Sequence, residues 1–350
     1  MHTGRRTIVM VHPGGLGDVL LAVYAMARLR TRFPTHQLVL FAEDQVARLL
    51  LECRIIDAWT AVQGRACTNL FADADSITGH EQTWLEDCDL AIGWMQDLDG
   101  RLTETFKTAG AREVIVRSPF STAIRATHQC DRFLEAINEA PFDEGEAVLL
   151  TLTEPLHRLG RACLEGVDLR NGRPFSVIHP GSGSAHKCVA PEILATVVLA
   201  LQTSGTIPVI LEGPADREPV ERLLRLCLNP PIVLKGLDLL TVAGVLAQAR
   251  LFVGQDSGIT HLAGLMGVST VAIFGPSDPA RWAVRGPHVS VVQGAPCYCQ
   301  SWEDISHCKE KPCLKVPQHH LVTLCLAHLK DKTFPQRIPS SRLVTDYHVC

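Results

Sequence analysis

Apolar residues fall in short runs separated by stretches of helical period along the first third of the chain. The runs at 7–11, 37–42, 89–95 and 113–117 read as strands with helices between them, the pattern of βα units around a mostly parallel sheet. The first run leads into the glycine-rich turn 13–18, and then into a helix from Val19 to about Arg32 that Pro34 stops. Polar breaks at 138–145 and 168–174 flank a predicted helix from Glu154 to Gly166. Beyond them the alternation restarts. Strands are expected at 176–179, 206–211, 232–234, 251–254 and 270–274, with helices near 191–203, 218–228, 240–249 and 260–266. A helix from His319 to Leu329 follows the last strand, and residues 331–350 read as a loosely held tail.

The expected fold class is therefore α/β, with two doubly wound domains facing a central cleft. The first domain occupies 1–150, a linker 151–172 and the second domain 173–330. Sheets of this kind bind ligands at the C-terminal ends of their strands, so two of them line one crevice from both sides. A reaction that joins two substrates suits that layout.

Composition narrows the class. With 46% hydrophobic and 20% charged residues the chain is that of a packed globular protein, and no apolar run reaches the roughly 18 residues of a membrane span. The basic start is followed by an apolar stretch too short for a secretory signal, so cytoplasmic residence is expected. A net charge of -4 offers no general attraction to nucleic acid, and the cluster Arg28, Arg30 and Arg32 reads as a solvated helix end. Of the 13 cysteines most stand singly in apolar segments, as Cys53, Cys163, Cys227 and Cys325 do, and read as small reduced core residues.

Four loops carry candidate chemistry. In the turn Gly14-Gly15-Leu16-Gly17-Asp18 the glycines let backbone approach a ligand. The turn fails as a dinucleotide fingerprint for want of a third glycine. Asp18 can either take a proton from a hydroxyl nucleophile or simply cap the helix that follows. The loop His179-Pro180-Gly181-Ser182-Gly183-Ser184-Ala185-His186-Lys187 offers backbone N–H groups, hydroxyls and one mobile cation suited to a diphosphate, or it is an ordinary loop with a solvated lysine. At Gly254-Gln255-Asp256-Ser257-Gly258-Ile259-Thr260-His261 a strand turns into a helix whose free N–H groups favour an anion. Asp256 and Ser257 are possible caps there, and His261 lies in the first turn. The proline-bracketed loop 274–282 makes a rigid wall.

Taken in order, Gly14-Gly15-Leu16-Gly17-Asp18-Val19, His179 to Ser184 with Lys187, Gly213-Pro214-Ala215-Asp216, Asp256 to Ala263 and Phe274 to Pro279 resemble glycosyltransferase family 9, the lipopolysaccharide heptosyltransferases, over residues 7 to 330. The resemblance implies a GT-B fold of two Rossmann-like domains, with the acceptor on the N-terminal one and the donor on the C-terminal one. It also implies inverting transfer that needs neither metal nor cofactor. It makes Asp18 the general base, with Gly15 and Gly17 in the acceptor-side loop, and Lys187 the phosphate-binding lysine. Ser182, Gly183, Asp256, Ser257, Gly258 and His261 then surround the donor diphosphate, with Asp216 and Leu237 near the nucleoside. The implied partners are a nucleotide-sugar donor, expected to be ADP-heptose, and a lipopolysaccharide core or other lipid-linked or oligosaccharide acceptor. Peripheral contact with the inner face of the membrane is implied as well, and nucleic acid is not.

The chain departs from the family where Cys188 and Val189 follow Lys187 in place of a nearby tryptophan, at Gln255 in place of asparagine, and in lacking a proline near Val23 and Tyr24. These changes bear on the donor sugar more than on the reaction. Transfer of a hexose or N-acetylhexosamine, or sugar-nucleotide binding without turnover, are the alternatives. Cys297, Cys299, Cys308 and Cys313 have a spacing that could hold zinc, but its irregularity favours a structural role without metal.

Overall fold

The computed structural model describes residues 5–63, 70, 77–120, 127–142, 150–167, 169, 173–299 and 301–331. Parts of both expected interdomain breaks (143–145, 168 and 170–172) and the expected tail from 332 onward lie outside these residues.

The chain forms two all-parallel sheets. The first contains β1 (Thr7–Val11), β2 (Gln37–Ala42), β3 (Ala58–Ala61), β4 (Cys88–Gly93) and β5 (Glu113–Val116), in the order β3-β2-β1-β4-β5. The second contains β6 (Phe175–His179), β7 (Ile207–Glu212), β8 (Ile232–Lys235), β9 (Leu251–Gln255), β10 (Thr270–Phe274) and β11 (Val289–Gln293), in the order β11-β10-β9-β6-β7-β8. Every residue of β1, β6, β9 and β10 is buried, as helices on both faces of a parallel sheet require. Continuous apolar runs such as Thr7–Val11 follow from that.

Helices α1 (Leu16–Leu21), α2 (Val23–Arg32), α3 (Asp44–Glu52), α4 (His80–Glu86), α5 (Arg101–Thr108) and α6 (Gln129–Ala136) accompany the first sheet. The single helix expected from Val19 to Arg32 begins instead at Leu16 and breaks at Ala22, whose N–H is shared between the carbonyls of Asp18 and Val19. Helix α7 (Glu154–Glu165) falls inside the expected linker. It packs on α10 (Leu239–Leu246) so closely that a Cβ on Gly160 would lie 2.1 Å from the Gly244 carbonyl, so only glycines fit at this crossing. The second sheet also carries α8 (Pro191–Thr203), α9 (Arg217–Leu224), α11 (Gly258–Leu265), the short α12 (Pro279–Trp282), α13 (Trp302–His307) and α14 (Gln318–Lys330).

One buried apolar cluster runs from Ile8, Leu20 and Trp94 beside the first sheet to Val177 and Phe252 in the second. Polar ties reinforce it. Arg285 grips Asp131 through both guanidinium nitrogens at 3.0 and 2.7 Å, and the ring of His128 lies 2.9 Å from the Ala283 carbonyl. The two halves are therefore held together by this shared core, these polar ties and the contact of α1 with α11. Among the described residues no helix is long and apolar enough to cross a membrane.

Candidate active site

Chain order reverses between β1 and β4 in the first sheet and between β6 and β9 in the second. The crevice at such a reversal is where open α/β sheets bind ligands. The turn after β1 and the loops after β6 and β9 all open there, so three of the four loops singled out from sequence converge.

Helices α1 and α11 meet end to end. The backbone of Gly258 passes so close to Leu16 that a Cβ there would lie 2.8 Å from the Leu16 side chain, and Gly17 faces the Gly258 backbone and the ring of His261 in turn. Gly15 is the N-cap of α1 and is open to solvent. Asp18 is thus in the first turn of α1 and is not its cap, which removes the capping explanation for this carboxylate. Burial pushes its pKa above the ordinary carboxylate value and the charge of Asp256 adds to that, while the Gly15 N–H and the Lys187 ammonium pull it back. The packing of Gly17 on Gly258 and His261 brings its neighbour Asp18, from one sheet, to the turn of the other sheet that carries Asp256.

Lys187 ends a 3₁₀ turn (Ala185–Lys187) after β6, and its Nζ donates to Asp256 Oδ2 at 2.7 Å. An ammonium has three donors, so this pairing fixes the cation while leaving it able to bind a second anion. Nζ also lies over the Trp302 ring, 5.7 Å from its centroid. Ser182 Oγ donates to the Asp256 carbonyl at 2.6 Å, which stitches the β6 loop to the β9 loop, and Gly183 beside it is exposed with open space around its Cα. Ser257 caps α11 through the Thr260 N–H, and its hydroxyl also reaches His179 Nδ1 at 3.3 Å. His261 is buried and its pKa is pushed down to about 4, chiefly by loss of solvent and against the pull of Asp256, so the ring is neutral near pH 7.

Asp216 and Leu237 sit further from this cluster in the β7 and β8 loops. Asp216 is buried, accepting from the Gly213 N–H at 2.8 Å and lying 2.8 Å from His179 Nε2. Burial raises its pKa, but the hydrogen bond and charge of His179 and the Gly213 N–H outweigh this, leaving it below the usual value. Its carboxylate is thus turned inward onto His179 and the Gly213 N–H. Leu237 is half-buried between β8 and α10.

Three further residues stand beside the cluster: His179, which opens a loop quoted from sequence but was given no role there, and His12 and Trp302, which were not singled out. His179 lies between Asp216 and Ser257 and braces both loops. Its place at a strand end before Pro180-Gly181 was the available signal. His12, at the end of β1, is fully buried between Trp94 and Phe133, accepts from the Gly14 N–H at 3.1 Å and has a pKa pushed down to about 4 by burial. Trp302 has no local sequence signal at all. A cavity of about 420 Å³ adjoins the cluster; it is lined by Ser182, Cys188, Val189, Arg222 and Lys311 among others but by none of Asp18, Lys187, Asp256 or His261.

The family model described as glycosyltransferase family 9 (heptosyltransferase) matches residues 123–314. Lipooligosaccharide heptosyltransferase 2 of Campylobacter jejuni is 34% identical over 115 residues, 31% of this chain and 36% of that protein, so the match spans about a third of that relative's length. The crystal structure of a glycosyl transferase family 9 protein from Veillonella parvula superimposes with a TM-score of 0.77 at 19% identity, over 94% of this chain and 98% of the other. That of E. coli ADP-heptose LPS heptosyltransferase II gives 0.71 at 16%, over 92% and 98%. The fold is GT-B, as the sequence resemblance implied.

Proposed function

The chain belongs to glycosyltransferase family 9, and on that premise we propose that it moves a sugar from a nucleotide-diphosphate donor to an acceptor hydroxyl with inversion. One observation carries the reading. The turn that presents Asp18 packs through Gly17 on Gly258 and His261, just after Asp256, which pairs with Lys187 at 2.7 Å.

In this reading the domain at 1–150 holds the acceptor and the domain at 173–330 the donor. The acceptor O–H gives its proton to the Asp18 carboxylate as its oxygen bonds to the anomeric carbon, and the bond from that carbon to the phosphate oxygen breaks on the opposite face. The electron pair leaves on the diphosphate. Lys187 and the N–H groups at the start of α11, at Gly258 and Ile259, offset the growing charge. A pKa raised by burial suits Asp18 to the task, because a stronger base accepts the proton more readily once the donor has excluded water. Neutral His261 packs under the helix terminus without adding charge.

The donor is ADP-heptose and the acceptor a lipopolysaccharide core or related lipid-linked glycan. The names of the relatives support both, and a lipid-linked acceptor of this kind suits an enzyme working in the cytoplasm at the inner face of the membrane. The test is Asp18→Asn, assayed for product mass with ADP-heptose and core acceptors and separately for ADP affinity. Transfer is expected to fall by about 10² to 10⁴ with affinity within about threefold of the parent. Full turnover by the variant sinks the base assignment, and absence of turnover by the parent across a panel of nucleotide sugars favours a binding protein without catalysis.

A further inference from the structure

The segment after β11 has little to hold it. Tyr298 is 93% exposed and Trp302 57%, and burial is concentrated in Cys313, Leu314 and Val316 at its far end. Yet its path is closely defined. Cys297 and Cys299 flank one residue, so in extended backbone their side chains fall on the same side. Ser301 and Asp304 form a capping box that starts α13, and Cys308 is the residue that ends it. Lys311 then takes a left-handed conformation at φ 42°, which turns the chain into a 3₁₀ helix carrying Cys313, and the Gly294 N–H closes the loop on the Cys313 carbonyl at 2.8 Å.

These turns bring three sulfurs together and a fourth to the same void. The sulfurs of Cys297, Cys299 and Cys308 all lie within 4.8 Å of one another, with the first two 3.0 Å apart. Cys313 comes to the same place, since all four cysteines line one small void with His186, Pro276, Ile305 and Lys311. The other buried cysteines behave differently: Cys53 and Cys325 stand singly among aliphatic side chains. Sulfurs that are mutually close, rather than close in pairs, are what a shared central ligand produces and a disulfide does not. A tetrahedral metal with bonds of about 2.3 Å spaces its thiolates about 3.8 Å apart, inside the range seen here.

We infer that Cys297, Cys299, Cys308 and Cys313 form a tetrathiolate site for one thiophilic divalent cation, zinc or iron. The sequence spacing by itself favoured a structural role without metal; the convergence of the sulfurs reverses that weighting. Binding expels the four thiol protons, and Lys311 beside the void offsets part of the excess negative charge. The cation cross-links a segment that its own apolar contacts leave loose. Through that segment it bears on the donor side of the cleft, because Trp302 lies over Lys187 and His186, the neighbour of Lys187, lines the same void. The site is structural, and no step of transfer passes through it.

The full chain, purified under reducing anaerobic conditions from cells grown with added zinc or added iron, is analysed for metals and for thiols reactive under native conditions. About one equivalent of metal per chain is expected, with zinc or iron identified by the element found, and it is lost in Cys299→Ser and Cys308→Ser but kept in Cys53→Ser. Cobalt exchanged into the wild-type protein shows intense thiolate charge-transfer absorption, a readout that does not depend on any variant folding. Chelation of the wild type lowers Tm. Metal-free protein whose four thiols all react freely, or a mass showing a disulfide among them, overturns the inference. Neither result bears on the role of Asp18.

Discussion

Replacing Lys187 by methionine separates the two roles this lysine can have. Its ammonium is 22% exposed and its partner Asp256 only 8%, so the substitution strands a nearly buried carboxylate. Breaking a fully buried pair costs about 3–5 kcal/mol. The open side of this one admits water, so about 2 kcal/mol is the expected loss of stability. The donor should suffer independently. A charge-assisted hydrogen bond is worth about 1.5–3 kcal/mol, which is about 10- to 150-fold in the dissociation constant for ADP. Adding Asp256→Asn removes the stranded charge. The double variant should regain stability to within about 1 kcal/mol of the parent while binding ADP at least about tenfold more weakly. Urea unfolding and isothermal titration with ADP measure the two quantities on the same samples. If Lys187→Met unfolds more easily but binds ADP within about twofold of the parent, the lysine is only a structural partner of Asp256 and the donor site lies elsewhere.

Gly181→Ala tests the brace behind the β6 loop. A Cβ there would fall 1.6 Å from Asp216 Oδ1, and Asp216 is held by His179 and the Gly213 N–H, so about 1–3 kcal/mol of stability should be lost, seen as a lower Tm, with weaker ADP binding as the loop shifts. An unchanged Tm would mean that Asp216 is free to move. Acid should destabilise the fold well before its carboxylates titrate. His12, His128 and His261 are each pushed down to about 4 by burial. The unfolded chain therefore takes up protons that the folded one refuses as pH falls from about 6.5 towards 4, and stability present above that window is lost within it. Three such groups give a slope approaching 4 kcal/mol per pH unit near pH 5, offset in part by Asp18, whose raised pKa works the other way. Equal urea midpoints at pH 7 and pH 5 would contradict these burial effects.

Elements whose pattern is local are legible in the chain alone. Central strands such as Thr7–Val11 and Thr270–Phe274 are covered on both faces and so read as unbroken apolar runs. The long helix Pro191–Thr203 opens on its proline, and the turns at Gly14-Gly15 and Gly181-Ser182-Gly183 stand out by composition. Of the four edge strands, β5 and β8 were legible as apolar runs and β3 and β11 were not. Ala58–Ala61 and Val289–Gln293 are short and partly exposed, and only pairing with β2 and β10 makes them strands. Motif residues could be named from sequence, but not which of them meet. That depended on β6 lying beside β9, which sets Lys187 against Asp256 and Ser182 against the Asp256 carbonyl, and on α1 meeting α11 across the cleft, which brings Asp18 to the turn that carries Asp256. The inward turn of Asp216 onto His179, the indole of Trp302 over Lys187 and the meeting of four cysteines at one void are likewise tertiary. Periodicity records which face of a segment is buried, whereas the partner of a charge or a thiol is chosen by chain topology, over separations that no local pattern spans.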